Sequence, residues 1–447
     1  MRTLAWIVAA LPLLLLAFIG FRYLVRGTPI KRVRTASLHE SEPEVSDPGF
    51  ARVLELLSHV RLERGNGVEI LCCGDDTYPR LFEDLAAARH SITLQMYYCK
   101  PGQLADRLRA VLTERARAGV RVLTLWDAFG SQSLSDEYRD SLRAAGVEVA
   151  LFRPVQWYAL EKAYNRSHIR VVVVDAEVGY TGGFGIDDKW LGDGRHEDQW
   201  RDTNVRFTGP AVHGLQATFA AGWAEATGDL LTGEPFFHDA GEAEADADAA
   251  ASASADDPRD ERTDDVEAGV MHCAPTVGST VAERFLALVI GGARRSLYVT
   301  NAYFVPDDGF TAMLQRAARR GVDVRILTAG PSTDVRSTRF AGRARYEELL
   351  AAGVRVWEYQ PTMIHAKTIV ADGCLGSVGT MNFDNRSMVF NDESNLVFRD
   401  DRLGRALNDI FEADLRYSAE IRHDEFRRRP WTERLQERVF WTLTRVL

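Results

Sequence analysis

The sequence predicts two duplicated α/β/α sandwich domains about a pseudo-twofold axis, behind an N-terminal transmembrane helix. Three observations carry this reading: a long uncharged N-terminal run, four internal repeats in the same order, and strands that alternate with amphipathic helices. At 447 residues the chain exceeds one ordinary hydrophobic core, as two domains require.

The first element is the run from Thr3 to Phe21, which holds no charged residue between Arg2 and Arg22. As a helix it would span about 28 Å, one bilayer core. It is long for a cleaved signal peptide, and no small-x-small site follows it. Arg22, Arg26, Lys31, Arg32 and Arg34 lie after the run, and only Arg2 lies before it. The positive-inside bias then gives a single-pass inner-membrane protein whose body faces the cytoplasm. Residues 1–34 are read as anchor and basic juxtamembrane segment.

The body repeats itself across an acidic spacer. ARHSITLQMYY (Ala88 to Tyr98) matches ARRSLYVTNAY (Ala293 to Tyr303), and ARAGVRVLTL ending at Leu125 matches ARRGVDVRIL ending at Leu327. AAGVEV (Ala144 to Val149) matches AAGVRV (Ala351 to Val356), and HIRVVVVDAEVGYTGG (His168 to Gly183) matches HAKTIVADGCLGSVGT (His365 to Thr380). Four ordered matches mark a duplication, with one domain over 50–237 and the other over 267–418. Within each, a β-branched strand such as SITLQMYY is followed by the helix LADRLRAVLTERARAG and the strand VRVLTLW. Gly119 and Gly321 close the matched helices, where a left-handed cap is expected. VVVVD is a continuous apolar run, as a central buried strand should be.

Residues 238–266 carry almost no large apolar side chain and read as a disordered linker. Between Asp239 and Asp265 stand eleven acids and two arginines, which account for nine of the ten net negative charges. The body is thus nearly neutral and lacks the basic footprint of a nucleic-acid partner. Five cysteines without C-x-x-C spacing argue for reduced buried thiols, neither a disulfide framework nor a metal site. The basic C-terminal segment 419–447 fits either an amphipathic helix on an anionic membrane or a helix packed on the second domain.

His168, Arg170 and Asp175 recur as His365, Lys367 and Asp372, each set spaced H-x-[KR]-x-x-x-x-D at an apolar strand. Period-2 alternation puts the imidazole and the cation on one face, suited to a phosphodiester. The cation neutralises non-bridging oxygens, and imidazole attacks phosphorus or carries a proton near neutral pH. Pseudo-twofold symmetry would bring both histidines to one cleft.

With these paired motifs the sequence resembles the phospholipase D superfamily, and its bacterial cardiolipin synthase branch in particular. YFVPD (Tyr303 to Asp307), DAFGS (Asp127 to Ser131), WRDTNVRFTGPAV (Trp200 to Val212) and GTMNFDNRS (Gly379 to Ser387) extend the likeness from about Gly67 to Arg416. The resemblance implies a two-step phosphatidyl transfer without metal or cofactor, at a membrane, on phosphatidylglycerol. One histidine, here His168, attacks phosphorus and frees glycerol; the other protonates the leaving alkoxide, then activates the hydroxyl of a second phosphatidylglycerol. Arg170 and Lys367 would clamp the phosphoryl oxygens, with Asn382 and Thr380 beside them. Asp202 and Glu393 resemble the family's histidine-orienting carboxylates, and Asp175 and Asp372 look more structural than chemical. Two positions depart from the pattern: Arg170 replaces lysine, and Gly185 stands where the second half has Asn382. A hydrolase or nuclease of the same fold, or a membrane-tethered relative without turnover, are the alternatives. Protein partners, acyl preference and oligomeric state are not written in motif spacing. Tyr97, Tyr98, Tyr303 and Phe304 are either cleft or core aromatics, and His196, His213 and His423 read as surface or core residues.

Overall fold

The computed structural model describes residue 17 and residues 29–34, 44–154, 165–237, 263–276 and 278–444. The proposed membrane span, apart from residue 17, and nearly all of the acidic spacer lie outside these residues. Among the described residues, no helix is long and apolar enough to cross a membrane.

The first half supplies β1 (Glu63–Cys72), β2 (Ser91–Met96), β3 (Arg121–Asp127), β4 (Glu148–Phe152), β5 (Arg170–Val174), β6 (Val178–Gly182) and β7 (Thr203–Thr208). The second supplies β8 (Thr263–Cys273), β9 (Ser296–Asn301), β10 (Asp323–Ala329), β11 (Arg355–Tyr359), β12 (Lys367–Ala371), β13 (Leu375–Gly379), β14 (Glu393–Arg399) and the short β15 (Ser418–Glu420). Their order is β15-β11-β10-β9-β12-β13-β14-β8-β1-β7-β6-β5-β2-β3-β4. Apart from β15 this order is palindromic about the antiparallel β1–β8 pair, as a duplication with local twofold symmetry demands.

The halves do not have two separate sheets. β8 hydrogen-bonds β14 on one side and β1 on the other, which makes one sheet of fifteen strands. The sheet curls so that β6 and β7 come against β13 and β14. Outer helices Cys73–Ala87, Gln103–Arg117 and Asp136–Ala144 cover the first half, and Val281–Gly292 and Asp308–Arg319 cover the second. A third core joins the halves: Val171, Val173, Val205 and Phe207 meet Val370, Val378, Leu396 and Phe398 beside helices Ala211–Thr227 and Asp401–Leu415. Burying apolar surface from both repeats in one cluster makes their folding interdependent.

Three boundaries read from sequence shift. Helix Pro48–Ser58, assigned to the first domain, buries Phe50 and Leu54 in the core of the second half. Ile30 and Val33, from the juxtamembrane segment, pack there too. β8 begins inside the expected linker, because Val266 is fully buried and pairs with Asn66. The cut at 418/419 falls within β15, which extends the second half's sheet by pairing with β11. All five cysteines are unpaired thiols, four of them buried.

The motif aspartates work as loop clasps. Asp175 accepts hydrogen bonds from the backbone N–H groups of Arg89, His90 and Ser91 at 2.7–2.8 Å, fixing the entry to β2. Asp372 does the same for Arg294, Arg295 and Ser296 at the entry to β9. Both sit with φ near +54° at the strand end opposite the histidine, roughly 20 Å away along an extended chain. They therefore belong to the scaffold and not to the reacting set in which the sequence motif includes them. Asp175→Ala should lower unfolding free energy by about 3 kcal/mol, since three charge-assisted bonds are lost. Urea denaturation checks this, and the folded variant should keep its turnover number within about tenfold.

Candidate active site

His168 and His365 stand one residue before Ile169–β5 and Ala366–β12, at the ends of strands that pair with β2 and β9. Both are buried, at 7% and 3% exposure. Each is stitched to the opposite half. The N–H of His168 donates to Asp392 O at 2.9 Å, and the N–H of Asp392 donates to Arg166 O at 3.0 Å. Likewise the N–H of His365 donates to Arg201 O at 2.6 Å, and that of Arg201 donates to Met363 O at 2.9 Å.

These bridges place the next residue of each partner strand against the imidazole. Nδ1 of His168 lies 3.0 Å from Glu393, and Nδ1 of His365 lies 3.0 Å from Asp202. The orienting carboxylates are thus exchanged between the halves. Asp202 and Glu393 each follow one motif in the sequence and face the histidine of the other in the fold. With Nδ1 occupied, Nε2 is the ring atom left to act on a substrate.

Arg170 and Lys367 are each 1% exposed. Each donates back to the carbonyl of its own histidine, Arg170 Nη1 to His168 O at 2.7 Å and Lys367 Nζ to His365 O. Arg170 Nε also donates to Phe184 O at 2.9 Å, a second tie that lysine has no atom to make. Burial and then these two cations hold the pKa of His168 well below the usual imidazole value. Burial and Lys367 do the same to His365, opposed by the Asp202 hydrogen bond. Both cations reach both rings, so the four groups form one site. Burial pulls the Lys367 ammonium down to about 7.

The two carboxylates differ. Burial opposes ionisation of Asp202, but the hydrogen bond and charge of His365, the Lys367 ammonium and the Trp190 N–H together outweigh it, and the pKa falls below the usual carboxylate value. Trp190 Nε1 also donates to Asp202 at 3.0 Å. Burial pushes Glu393 up to about 8, although Thr380 Oγ1 donates to it at 2.5 Å. Thr380 thus supports the carboxylate. Asn382 is buried, and among the described residues its Oδ1, an acceptor, has no hydrogen-bond partner.

Gly185 has a steric cause. A Cβ there would lie 2.9 Å from the Trp190 indole, so this indole occupies the space where the second half holds the Asn382 side chain. The repeat offset aligns Trp190 with the small Ser387. A lost side chain at one position and a gained ring at another are therefore complementary changes. Trp190 and Trp200 lie 5.5 and 5.0 Å from the His365 ring, and Lys189 Nζ sits 3.4 Å over Trp200. Sequence reading missed this aromatic wall; the pairing of Gly185 with Trp190 against Asn382 with Ser387 was the available signal. Tyr97 and Tyr303 border His168 and His365 at 5.2 and 6.3 Å, whereas Phe304 is a core residue.

Comparison with known proteins agrees with this geometry. A family model described as "Cardiolipin synthase, PLD-like domain" matches residues 81–223 and 286–415. A cardiolipin synthase from Geobacillus kaustophilus is 35% identical over 387 residues, which is 85% of this chain and 72% of that protein. Cardiolipin synthase 2 from Bacillus anthracis is 31% identical over 397 residues, 89% of this chain and 74% of that protein. The crystal structure of phosphatidylserine synthase from Haemophilus influenzae shares the fold, with a TM-score of 0.63 at 12% identity, covering 89% of this chain and all of that one. Repeated histidine strands of this kind, matched over most of the body, mean that the chain belongs to the cardiolipin synthase family of phospholipase D-like proteins.

Proposed function

We propose that the protein is a cardiolipin synthase that transfers a phosphatidyl group between two phosphatidylglycerol molecules through a phosphohistidine. The observation that carries this reading is the exchanged pair: two buried histidines, each oriented by the other half's carboxylate, around Arg170 and Lys367. Such a set offers one nitrogen nucleophile, one proton carrier and two cations for an anionic phosphodiester.

His168 is assigned as the nucleophile. Its partner Glu393, with a pKa near 8, is largely uncharged at neutral pH and does not favour an imidazolium. Asp202 is ionised and stabilises a proton on His365. A bound phosphodiester anion raises the pKa of His365 further, so the proton arrives with the substrate. In the first step Nε2 of His168 bonds to phosphorus, the bond from phosphorus to the glycerol oxygen breaks, and His365 Nε2 gives that oxygen its proton. In the second, His365 takes the proton from the hydroxyl of another phosphatidylglycerol. That oxygen bonds to phosphorus and the P–N bond breaks. Arg170, Lys367 and the Asn382 amide hold the non-bridging oxygens in both steps. The relatives' activity and the uncharged run at Thr3 to Phe21 support a membrane-bound enzyme, with an inner-membrane, cytoplasm-facing body as the proposed orientation.

Product analysis with phosphatidylglycerol tests the assignment. Cardiolipin and glycerol are expected in equal amounts. Phosphatidic acid without cardiolipin would identify a hydrolase, and no product would remove the reading.

A further inference from the structure

The C-terminal helix Trp431–Thr444 presents two unlike faces. Its inner face packs on helix Arg336–Arg343, where Phe440 stacks on Phe340 with ring centroids 5.5 Å apart. Its two acids differ, Glu437 being buried against the helix beneath and Glu433 half-exposed. Glu437, 1% exposed, contacts Arg343 at 3.2 Å and Arg429 at 2.9 Å, and Glu433 lies 3.9 Å from Arg343. The outer face carries a ridge of Trp431, Leu435 and Val439, one helical turn apart. They are 72%, 54% and 48% exposed, unusual for such residues in a row. Arg434 and Arg438 are exposed along the same helix, with exposed Arg427 and Arg428 just ahead of it. Exposed positive charge therefore predominates along the helix, with Glu433 its one partly exposed acid.

The helix beneath the ridge starts near the site. Exposed Asp334 accepts a hydrogen bond from the Tyr303 hydroxyl at 2.7 Å, and the Tyr303 ring is 6.3 Å from His365. Two residues later begins the helix on which Trp431–Thr444 rests.

We propose that this ridge docks on an anionic lipid surface, with Trp431, Leu435 and Val439 in the interface, the arginines on headgroup phosphates, and the His365 side of the site turned to the membrane. An apolar ridge bordered mainly by cations matches the chemistry of an anionic bilayer surface. The proposal deepens the phosphatidyl-transfer reading, since the lipid would enter from the docked side.

The full-length chain is reconstituted in phosphatidylcholine vesicles with or without phosphatidylglycerol, using lipids brominated along the acyl chain. Tryptophan quenching is compared between wild type and Trp431→Phe. A quenched component that is absent from Trp431→Phe and strengthened by phosphatidylglycerol is expected. Leu435→Asp with Val439→Asp should lower turnover of vesicle phosphatidylglycerol about tenfold or more, while turnover of monomeric short-chain phosphatidylglycerol and the unfolding midpoint stay unchanged. Equal quenching in wild type and Trp431→Phe would overturn the proposal. So would a detergent-solubilised dimer that Leu435→Asp disperses, because the ridge would then face a second copy of the chain. Trp431-dependent quenching without any short-chain product would sink the transferase reading and leave the docking intact.

Discussion

His365→Ala, given a phosphodiester with a p-nitrophenyl leaving group, is expected to release one equivalent of nitrophenol and stop. The nitrophenolate leaves without a proton, so His168 completes the first step alone and remains phosphorylated. On phosphatidylglycerol the same variant should lose about 10²–10⁴ of its turnover, the usual worth of a positioned acid–base group. His168→Ala should lose about 10⁴ or more and give no burst with either substrate. Rapid quench and phosphate-labelled peptide mapping read both outcomes. A burst in His168→Ala instead would exchange the roles of the two histidines and contradict the reasoning from the unequal carboxylates.

The second large effect concerns those carboxylates. Asp202→Asn removes the anion that stabilises a proton on His365, although the two residues belong to different repeats. Turnover should fall by about 10³–10⁴, as when a charged partner behind a catalytic imidazole is neutralised. The pH profile fixes the sign. His365 must be protonated for glycerol to leave, so activity is lost as pH rises through its pKa in the complex. Without Asp202 that pKa drops, and the descending limb moves to lower pH. Glu393→Gln should cost less, about 10–10² at neutral pH, because burial already holds Glu393 near pKa 8 and its part is to orient His168. The nitrophenyl substrate separates the pair: it rescues the first step in Asp202→Asn and leaves Glu393→Gln impaired. Rescue of Glu393→Gln alone would mean that the carboxylates are not exchanged in solution.

Legibility in the sequence followed the range of the interactions. The histidine strands were readable because their apolar runs and the fixed spacing to Asp175 and Asp372 are local. Repetition then made a chance triplet into a site. The identity of the acids was readable too, but not which histidine each serves. That depends on the pairing of Arg166 to His168 with Asp392 and of Met363 to His365 with Arg201, contacts that span the whole chain. The single sheet was hidden for a similar reason. β1 reads ERGNGVEILC, with polar and glycine residues where a central strand usually carries β-branched ones, yet it lies in the middle of fifteen strands. Helix Pro48–Ser58 precedes the first half in sequence and packs on the second, because the β1–β8 seam brings the start of one repeat beside the other. Gly185 looked like a missing group until the Trp190 ring filled its place.

The exchange of carboxylates also bears on how such a chain can change over time. Two identical copies related by symmetry would have to give both histidines the same acid, the same cation and the same wall. Fusion into one polypeptide lifts that constraint while keeping the mutual dependence. One repeat can then take arginine, an indole and an ionised aspartate while the other keeps lysine, an amide and a neutral glutamate. Division of labour between nucleophile and proton carrier needs that asymmetry. A mutation in either repeat is consequently felt first in the chemistry of the other.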